Sequence, residues 1–564
     1  MSEVDVGLKY EQNSIQKIPK NWNKVCLVDI IHKIYYGITA KATEKNTGIR
    51  MLRTSDIRNY SFDWENLPFC EITEKRKNLD KYFLRRGDLI VTRAGTVGIS
   101  VFVERNFDNT VFGSYLIKIE PKPDMNSRFL HYFFQSNMYW KHLQKVQGST
   151  LKNLNLPLLR SLQILLPTPP EQEKIVEILS VADDVIQKAD EAIAKNKRLK
   201  KGLMQELLTK GIILGFMLDT TLFNDILNRK IDINRFPKHF DYFITFRQLD
   251  ELNETPDPNL REKLKQIFVN IDKEEIPTKS SVNDVSGFDK AKLGKGEILD
   301  KLRKENLRNI EDALIGETAI MNGLILVTDD KELLRKVREL GGWAITLKDF
   351  LNENYREFNE TEIGRIPRHW DVVELGKIAD LQRGKFTHRP RNDPDLYGGE
   401  FPFIQTGDIG QIDGIIREYS QTLNEEGFKV SKLFKRGTIV ISIAGNIGDV
   451  GILDFDSCFP DSVIGINANS KRVDSFFLMY LLQKYKHKLS STAPRSTQKN
   501  INLRILNPFK LPLPPSPEQQ KIAEILTTVD RKLILETKRK EKLERIKKGL
   551  MNDLLTGKIR VKIS

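Results

Sequence analysis

The sequence predicts a multidomain α/β and α+β protein in which two globules are each followed by a long coiled-coil helix and a separate α/β domain lies between the two copies. Three observations support this fold class. PEQEKIVEIL at 170–179 returns as PEQQKIAEIL at 517–526, and each stretch opens a segment with helical apolar spacing. Residues 213–359 belong to neither copy, yet they alternate strand and helix patterns.

A whole module is duplicated. Glu171 and Glu518 are 347 positions apart, and the same offset joins KKGLMQELLTKGI (200–212) to KKGLMNDLLTGKI (547–559). Similar pairs occur upstream at slightly different offsets. They are IPKNW (18–22) and IPRHW (366–370), RRGDLIVTRAGTVG (85–98) and KRGTIVISIAGNIG (435–448), and STLKNLNL (149–156) and STQKNINL (496–503). The repeat therefore covers a globule together with its helix.

Composition limits the class of protein and its partners. A chain of 564 residues is long enough for three or four domains. The net charge of +14 favours a polyanionic partner such as nucleic acid. Three widely spaced cysteines indicate a reducing, cytoplasmic setting without disulfides. No stretch of about 18 apolar residues is present, so neither a signal peptide nor a membrane partner is expected.

The end of each module has the pattern of a long helix. Prolines 167, 169 and 170 precede the first one, and Glu171 favours the positive end of a helix dipole. A 4,3 rhythm predicts a coiled-coil seam. Its positions in the first copy are Ile178, Ala182, Val185, Ala189, Ala192, Asn196, Leu199 and Leu203, and the less regular second stripe has Val529, Leu533, Leu543, Ile546 and Leu550.

Each globule combines short β-rich runs with amphipathic stretches. GDLIVTRAG and GTIVISIAG are bounded by glycines, as strands often are. The glycines of AGTVG and AGNIG do not match the spacing of phosphate-binding loops. We therefore expect a strand followed by a tight turn in both copies.

Two divergent globules, each followed by a PxPPEQxKIxxIL helix that ends in KKGLMxxLLT, resemble the specificity subunit of type I restriction-modification systems. The resemblance implies two target-recognition domains that each recognise half of a bipartite, gapped site in double-stranded DNA. It also implies that the two helices pack antiparallel as a spacer. The partners would be two methyltransferase (modification) subunits, one beside each recognition domain, and a restriction/translocase subunit.

Five segments follow from the repeat and the resemblance. They are target-recognition domain 1 (1–168), spacer helix 1 (169–211), a PIN-like domain (213–356), target-recognition domain 2 (360–515) and spacer helix 2 (516–558). An NPPY-type tetrapeptide and a Walker A lysine are both missing from the sequence. Neither methyl transfer nor motor activity is therefore expected of this chain.

The repeated STxKNxNL segments supply the candidate nucleic-acid contacts. Lys152 with Asn153, and Lys499 with Asn500, are suited to hold phosphates or to position the protein on DNA. The alternative is that these polar segments only cap turns. Residues that recognise bases must differ between the copies, and the sequence does not single them out.

The segment between the copies has its own α/β pattern. GFMLDTTLFNDIL (215–227), YFITFRQLDEL (242–252) and the run 309–351 alternate strands with helices, which indicates a parallel sheet. Acidic residues occur where the carboxyl edge of that sheet would lie. They are Asp219, Asp250 or Glu251, Asp312, and Asp329 or Asp330. Carboxylates that meet at one edge favour a divalent cation, as in metal-assisted phosphodiester hydrolysis.

LDTTLFN, SSVNDVSGFDKAKLGKG and DALIGETAIMNGLILVTDD resemble a PIN-domain nuclease. The resemblance implies Mg²⁺- or Mn²⁺-dependent cleavage, mostly of RNA. It assigns Asp219, Glu251, Asp312 and Asp330 as metal ligands and catalytic acids, with Thr328 orienting them. Two departures from the family are the DTT opening and the Asp-Glu pair at 250–251.

Two other functions stay open at this point. The nuclease could be the main activity, with the globules serving only to target it, or the chain could be a non-catalytic scaffold. Whichever holds, the ends of the insert, near 211–215 and 352–361, must lie close together so that the two helices can pair.

Overall fold

The structure is a computed structural model. It describes residues 10–11, 18–72, 79–147, 153–229, 231–237, 240–278, 297–303, 310–352, 358–411, 413–492 and 501–563. Two compact units are formed, one by residues 1–193 with 536–564 and the other by residues 194–535. No described helix is both long and apolar enough to cross a membrane.

The first globule contains two four-stranded sheets. One has the order 100–102, 89–92, 116–121, 31–36, and the other has the order 110–112, 50–52, 69–71, 41–43. Its strands are Tyr10–Glu11, Ile18–Pro19, Asn23–Cys26, Ile31–Tyr36, Lys41–Thr43, Arg50–Leu52, Ile57–Arg58, Ser61–Phe62, Phe69–Glu71, Leu89–Thr92, Ser100–Phe102, Thr110–Phe112, Leu116–Pro121 and Gln163–Leu166. Its helices are Leu27–Ile30, Ser127–Phe133, Asn137–Gln147 and Leu156–Arg160, followed by the first long helix, Pro169–Lys210.

The second globule repeats this plan. One sheet has the order 379–383, 463–468, 439–442, 450–453, 415–416, and the other has the order 421–423, 397–403, 457–458, 433–434. Its strands are Phe358–Thr361, Gly364–Pro367, Asp371–Glu374, Ala379–Arg383, Tyr397–Phe403, Ile415–Ile416, Gln421–Leu423, Leu433–Phe434, Ile439–Ser442, Val450–Leu453, Ser457–Cys458, Val463–Ala468 and Lys510–Leu513. Its helices are Leu375–Ile378, Glu425–Lys429, Ser475–Lys484, Lys486–Thr492 and Leu503–Leu506, followed by the second long helix, Ser516–Leu555.

The glycines of AGTVG and AGNIG form tight turns, as predicted. In the first copy the turn joins antiparallel strands Leu89–Thr92 and Ser100–Phe102, with Gly95 and Gly98 at φ of 79° and 87°. In the second copy Gly445 and Gly448 have φ of 70° and 84°. A side chain at these angles would be strained, so the turn explains why glycine occurs there twice.

The insert folds around a five-stranded sheet, and the predicted parallel arrangement is confirmed. The strands Phe216–Leu218, Tyr242–Ile244, Glu274–Glu275, Ile325–Val327 and Trp343–Ile345 pair only in parallel, in the spatial order third, second, first, fourth, fifth. The helices are Thr220–Asn228, Phe246–Glu254, Pro258–Asn270, Glu297–Arg303, Ile310–Asn322, Lys331–Glu339 and Leu347–Leu351. Ile213 and Phe358, from the two ends of the insert, line one cavity, so the ends do lie near each other.

Each long helix ends in the hydrophobic core of the globule from the other copy. Leu554 and Leu555 are buried in the core of the first globule, and Leu207 and Leu208 are buried in the core of the second. These two pairs occupy equivalent positions in the repeat. The repeated KKGLMxxLLT motif is therefore a packing motif for the opposite globule.

Ion pairs connect the two long helices in both units, and in the first unit they show that the helices run antiparallel. In the first unit Lys547 contacts Asp183 at 2.5 Å and Lys540 contacts Asp190 at 2.7 Å. Residue numbers therefore fall along one helix as they rise along the other. In the second unit Lys200 contacts Asp530 at 2.7 Å. Asp530 is the repeat equivalent of Asp183, and Lys200 is that of Lys547.

A tyrosine completes each of these pairs. Tyr132 donates its hydroxyl hydrogen to Asp183 at 2.7 Å, and Tyr480 does the same to Asp530 at 2.7 Å. The first turns of the helices are held in a matching way, since Trp22 donates to Glu171 and Trp370 donates to Glu518. The duplicated module therefore repeats each of these contacts in both copies.

The predicted seam is wrong at two equivalent positions. Leu199 and Ile546 are 49% and 47% exposed, whereas Ala189 and Asn196 are buried as predicted. Lys200, at 14% exposure, takes the inward position to reach Asp530. Because adjacent helical residues are rotated by about 100°, Leu199 then faces solvent.

Breaking the two equivalent ion pairs should have unequal effects. The Lys200–Asp530 pair is the more buried, since the side chain of Asp530 is 2% exposed. We expect Lys200→Met to destabilise its unit by about 3 kcal/mol, because an unpaired carboxylate would stay buried. Lys547→Met, the matched change in the first unit, should cost about 1 kcal/mol or less. Calorimetric melting of the full chain measures both, and equal losses would contradict the difference in burial.

Candidate functional sites

The acidic residues of the insert lie where the order of the parallel strands reverses. Asp219 directly follows strand Phe216–Leu218, and Thr328 directly follows strand Ile325–Val327. These two strands are neighbours in the sheet. The next strand after the first of them lies toward one edge of the sheet, and the next strand after the second lies toward the other edge. Such a point opens a crevice at the carboxyl edge of a parallel sheet, which is the usual ligand position in this architecture.

Asp219 is buried and held in one orientation. Its carboxylate accepts hydrogen bonds from the Thr221 hydroxyl at 2.5 Å, the Thr328 hydroxyl at 2.7 Å and the Thr220 backbone N–H at 2.8 Å. Burial raises the pKa of Asp219, although these three hydrogen bonds act in the opposite direction. Thr328, predicted to orient the acids, contacts Asp219 directly, and its role toward a metal stays a prediction.

Two further carboxyls are perturbed by the same cluster. Burial, together with the charges of Asp219, Glu251 and Asp330, raises the pKa of Asp312 to about 7. Burial likewise raises the pKa of Glu251 to about 7, with the charge of Asp219 contributing. The four predicted acids therefore belong to one electrostatically coupled cluster.

Geometry separates the two ambiguous acid pairs. Asp250 is 36% exposed and contacts Arg247 at 3.3 Å, whereas Glu251 lies in the cluster. Asp329 accepts from the Leu347 backbone N–H at 2.9 Å and contacts Arg229 at 2.9 Å. Asp250 and Asp329 are thus each paired with an arginine, whereas Glu251 faces the charges of Asp219 and Glu311.

Arg247 is a member of the site that the sequence did not indicate. Its guanidinium is buried and forms an ion pair with Glu311, and its charge lowers the pKa of Glu251 against the effect of burial. Helix Phe246–Glu254 carries Arg247 and Glu251 one turn apart. Only the packing of this helix against helix Ile310–Asn322 brings the arginine to Glu311.

The chemistry of these residues suits a hard divalent cation. Carboxylate oxygens are the ligands that Mg²⁺ and Mn²⁺ prefer, and Glu251 Oε1 is buried with no hydrogen-bond partner in the described part of the chain. Among those residues, however, no three acidic, histidine or cysteine side chains are placed so that they could hold a metal ion together. The four-ligand set stays a prediction.

Of the candidate nucleic-acid contacts, only Asn153 can be placed. Arg93 Nε donates to Asn153 Oδ1 at 3.4 Å, and the guanidinium of Arg93 lies over the ring of Tyr36, 4.4 Å from its centroid. Lys152, Lys499 and Asn500 fall outside the described residues. No sequence pattern singles out Arg93, because a single arginine in a turn carries no distinguishing spacing.

Comparison with known proteins identifies relatives of both copies. A family described as "Type I restriction modification DNA specificity domain" matches residues 19–196 and 367–545. A Methanocaldococcus jannaschii protein described as a candidate MjaX specificity subunit of a type I restriction enzyme is 23% identical over 98% of this chain and 97% of its own length. The MjaVIII specificity subunit of the same organism is 32% identical over 37% of this chain and 50% of its own length.

A solved structure shows a weaker likeness. The type I restriction-modification S subunit from M. genitalium is 14% identical, with a TM-score of 0.44 over 97% of this chain and 99% of its own. Residues 197–366, which include the insert, lie outside both ranges matched by the family.

The raised pKa values of the acidic cluster predict a pH-dependent stability. A carboxyl whose folded pKa lies above its unfolded value stabilises the fold at low pH, and this contribution is lost as the pH rises from about 4 through about 7. In the presence of a chelator, Asp312→Asn should therefore raise the melting temperature at pH 8 and change it less at pH 5. The gain at pH 8 should be on the order of 2 kcal/mol.

Glu254→Gln is the control for loss of a carboxylate, because Glu254 is an exposed acid of the same domain. It should leave the melting temperature unchanged at both pH values. Equal effects of Asp312→Asn at pH 5 and pH 8 would show that this carboxyl does not titrate near neutrality.

Proposed function

The chain belongs to the family of type I restriction-modification DNA specificity proteins, and we propose on that basis that it recognises a bipartite, gapped sequence in double-stranded DNA. The observation that carries the proposal is the match of this family to both copies of the duplicated module. Two homologous globules with different surfaces would recognise two different half-sites. The net charge of +14 suits the polyanionic partner.

The methyl transfer and the cleavage of DNA would come from partner subunits. We infer that two methyltransferase subunits assemble with this chain and that a restriction/translocase subunit joins the same complex. The relatives that support this are specificity subunits of type I restriction enzymes. On this proposal the chain contributes the choice of sequence and acts in the cytoplasm.

We propose further that the insert is a PIN-like, metal-dependent nuclease domain. The support is the cluster of the buried Asp219 with the partly buried Glu251, Asp312 and Asp330 beside the strand-order reversal of a parallel sheet. Burial, and then the charges of neighbouring carboxylates, raise the pKa of Asp219, Glu251 and Asp312, and a divalent cation would relieve that repulsion.

In this site the residues have distinct roles. Asp219, oriented by Thr221 and Thr328, would be the central ligand, and Glu251, Asp312 and Asp330 would complete the set. A bound Mg²⁺ or Mn²⁺ supplies Lewis-acid activation of a phosphodiester. Arg247, paired with Glu311, offsets part of the negative charge at the rim of the cluster. The same cluster is the one observation that favours the alternative in which nuclease activity is the main function.

The DNA-recognition proposal predicts a chain-dependent methylation motif. We expect cells that produce this chain with the methyltransferase subunit of its own system to carry a gapped, asymmetric motif of modified bases. Cells with the methyltransferase alone should lack it. Genome-wide detection of modified bases measures both, and the same motif in both strains would refute the specificity role.

The nuclease proposal predicts metal-dependent cleavage by the full chain. With Mn²⁺ and single-stranded RNA, we expect Asp219→Asn to reduce cleavage by at least about 100-fold, the scale of losing a group that stabilises the transition state. Mn²⁺ should also raise the melting temperature of the unsubstituted chain but not that of this variant. Asp250→Asn, outside the cluster, should behave like the unsubstituted chain. A full-length chain that neither cleaves RNA nor DNA nor gains stability from Mn²⁺ would rule the site out.

A further inference from the structure

We propose that Arg93 is a specificity-determining residue of the first globule, with its guanidinium directed to a base edge of the first half-site. The inference rests on the proposed DNA recognition and names a residue that performs it. Both globules hold one equivalent backbone position with the same two main-chain hydrogen bonds, here called the frame. The side chain at that position differs between the two globules.

In the first globule, Arg93 sits at the end of strand Leu89–Thr92, where two backbone hydrogen bonds hold it. Its N–H donates to the Tyr115 carbonyl at 3.0 Å, and its carbonyl accepts from the Leu154 N–H at 2.9 Å. Arg93 therefore has a fixed backbone position between two neighbouring segments of its globule.

The second globule builds the same frame around Ile443. The Ile443 N–H donates to the Ser462 carbonyl at 2.9 Å, and its carbonyl accepts from the Ile501 N–H at 3.3 Å. Arg93 thus corresponds to Ile443, and Tyr115 corresponds to Ser462. Ile443 is fully buried, so the frame itself has no requirement for a guanidinium.

The surroundings of Arg93 leave its charge available. The guanidinium lies over Tyr36 at 4.4 Å and donates one hydrogen bond, to Asn153. Across the described ranges of the chain it forms no ion pair with a carboxylate. Tyr115, beside it in the frame, is 65% exposed. An arginine that is stacked but not neutralised is preorganised for a planar acceptor pair such as the O6 and N7 atoms of guanine.

The second globule presents different chemistry around the same frame. By strand register, Arg383 stands at the position equivalent to Tyr36, and Asp461 stands at that of Ser114. Asp461 forms ion pairs with Arg389 and Arg391, while Arg383 Nε donates to its backbone carbonyl at 2.6 Å. An arginine stacked on a tyrosine thus lies at this frame in the first globule, whereas an arginine beside an aspartate lies there in the second.

This difference favours a role in base recognition over a phosphate contact. Phosphates are the same in every half-site, so a phosphate-binding residue could be retained in both copies. Base edges differ between half-sites, and the residues that recognise them must differ as well. Arg93 and Ile443 share a backbone position and share no chemistry, which is the pattern expected of specificity residues.

Arg93→Ile tests the proposal, because the second globule shows that isoleucine fits this frame. The full chain is produced with its methyltransferase subunit, and modified bases are mapped across the genome. We expect one position of the first half-site to lose its base preference by about 10- to 100-fold, while the second half-site is unchanged. Arg93→Lys should also relax that position, since lysine lacks the planar fork. Arg85→Ile, which removes a surface arginine paired with Asp108, should leave the whole motif unchanged.

The outcomes separate the two proposals. A gapped motif in the unsubstituted chain that persists unaltered in both Arg93 variants would overturn the role of Arg93 and leave the specificity function in place. Uniformly weaker modification with no change of motif would assign Arg93 to a phosphate and overturn it as well. The absence of any gapped motif with the unsubstituted chain would overturn both. If Arg93→Ile abolishes modification altogether, the Arg93→Lys motif decides.

Discussion

The structure depends on the burial of each long helix's end in the core contributed by the other copy of the module. Leu207 and Leu208 lie in the core of the second globule, and Leu554 and Leu555 lie in that of the first. Buried apolar side chains supply most of the stabilisation of such a contact. The ion pairs Lys200–Asp530 and Lys547–Asp183 then fix the register of the paired helices. Because the module is duplicated, the same helix-end motif packs into the opposite globule in both units.

The insert differs from the helix ends, because it places several carboxylates together at partly buried positions, where their charge is unfavourable. Asp219 keeps its orientation through three hydrogen bonds, while Glu251 and Asp312 have pKa values raised to about 7 by burial and by the charge of Asp219. A fold retains such strain at functional sites more readily than elsewhere.

Sequence reasoning succeeded where a pattern is local. Proline and the repeated PEQ motif marked the start of each long helix, and the alternation of strands and helices indicated the parallel sheet. It failed at Leu199, because apolar spacing predicts that a face exists without showing which residue points inward. It also could not choose between Asp250 and Glu251, since adjacent residues on a helix differ only in the direction set by packing.

The sequence by itself determined the duplication, the starts of the long helices and the alternation of strands and helices in the insert, because each of these can be read from residue patterns along the chain. Only the tertiary structure decided which side chains meet. It paired Arg247 with Glu311, turned Lys200 inward to Asp530, and showed that Arg93 and Ile443 share one backbone frame. The reason is that spacing along an element fixes its periodicity, whereas its rotation and its neighbours are set by contacts between distant segments.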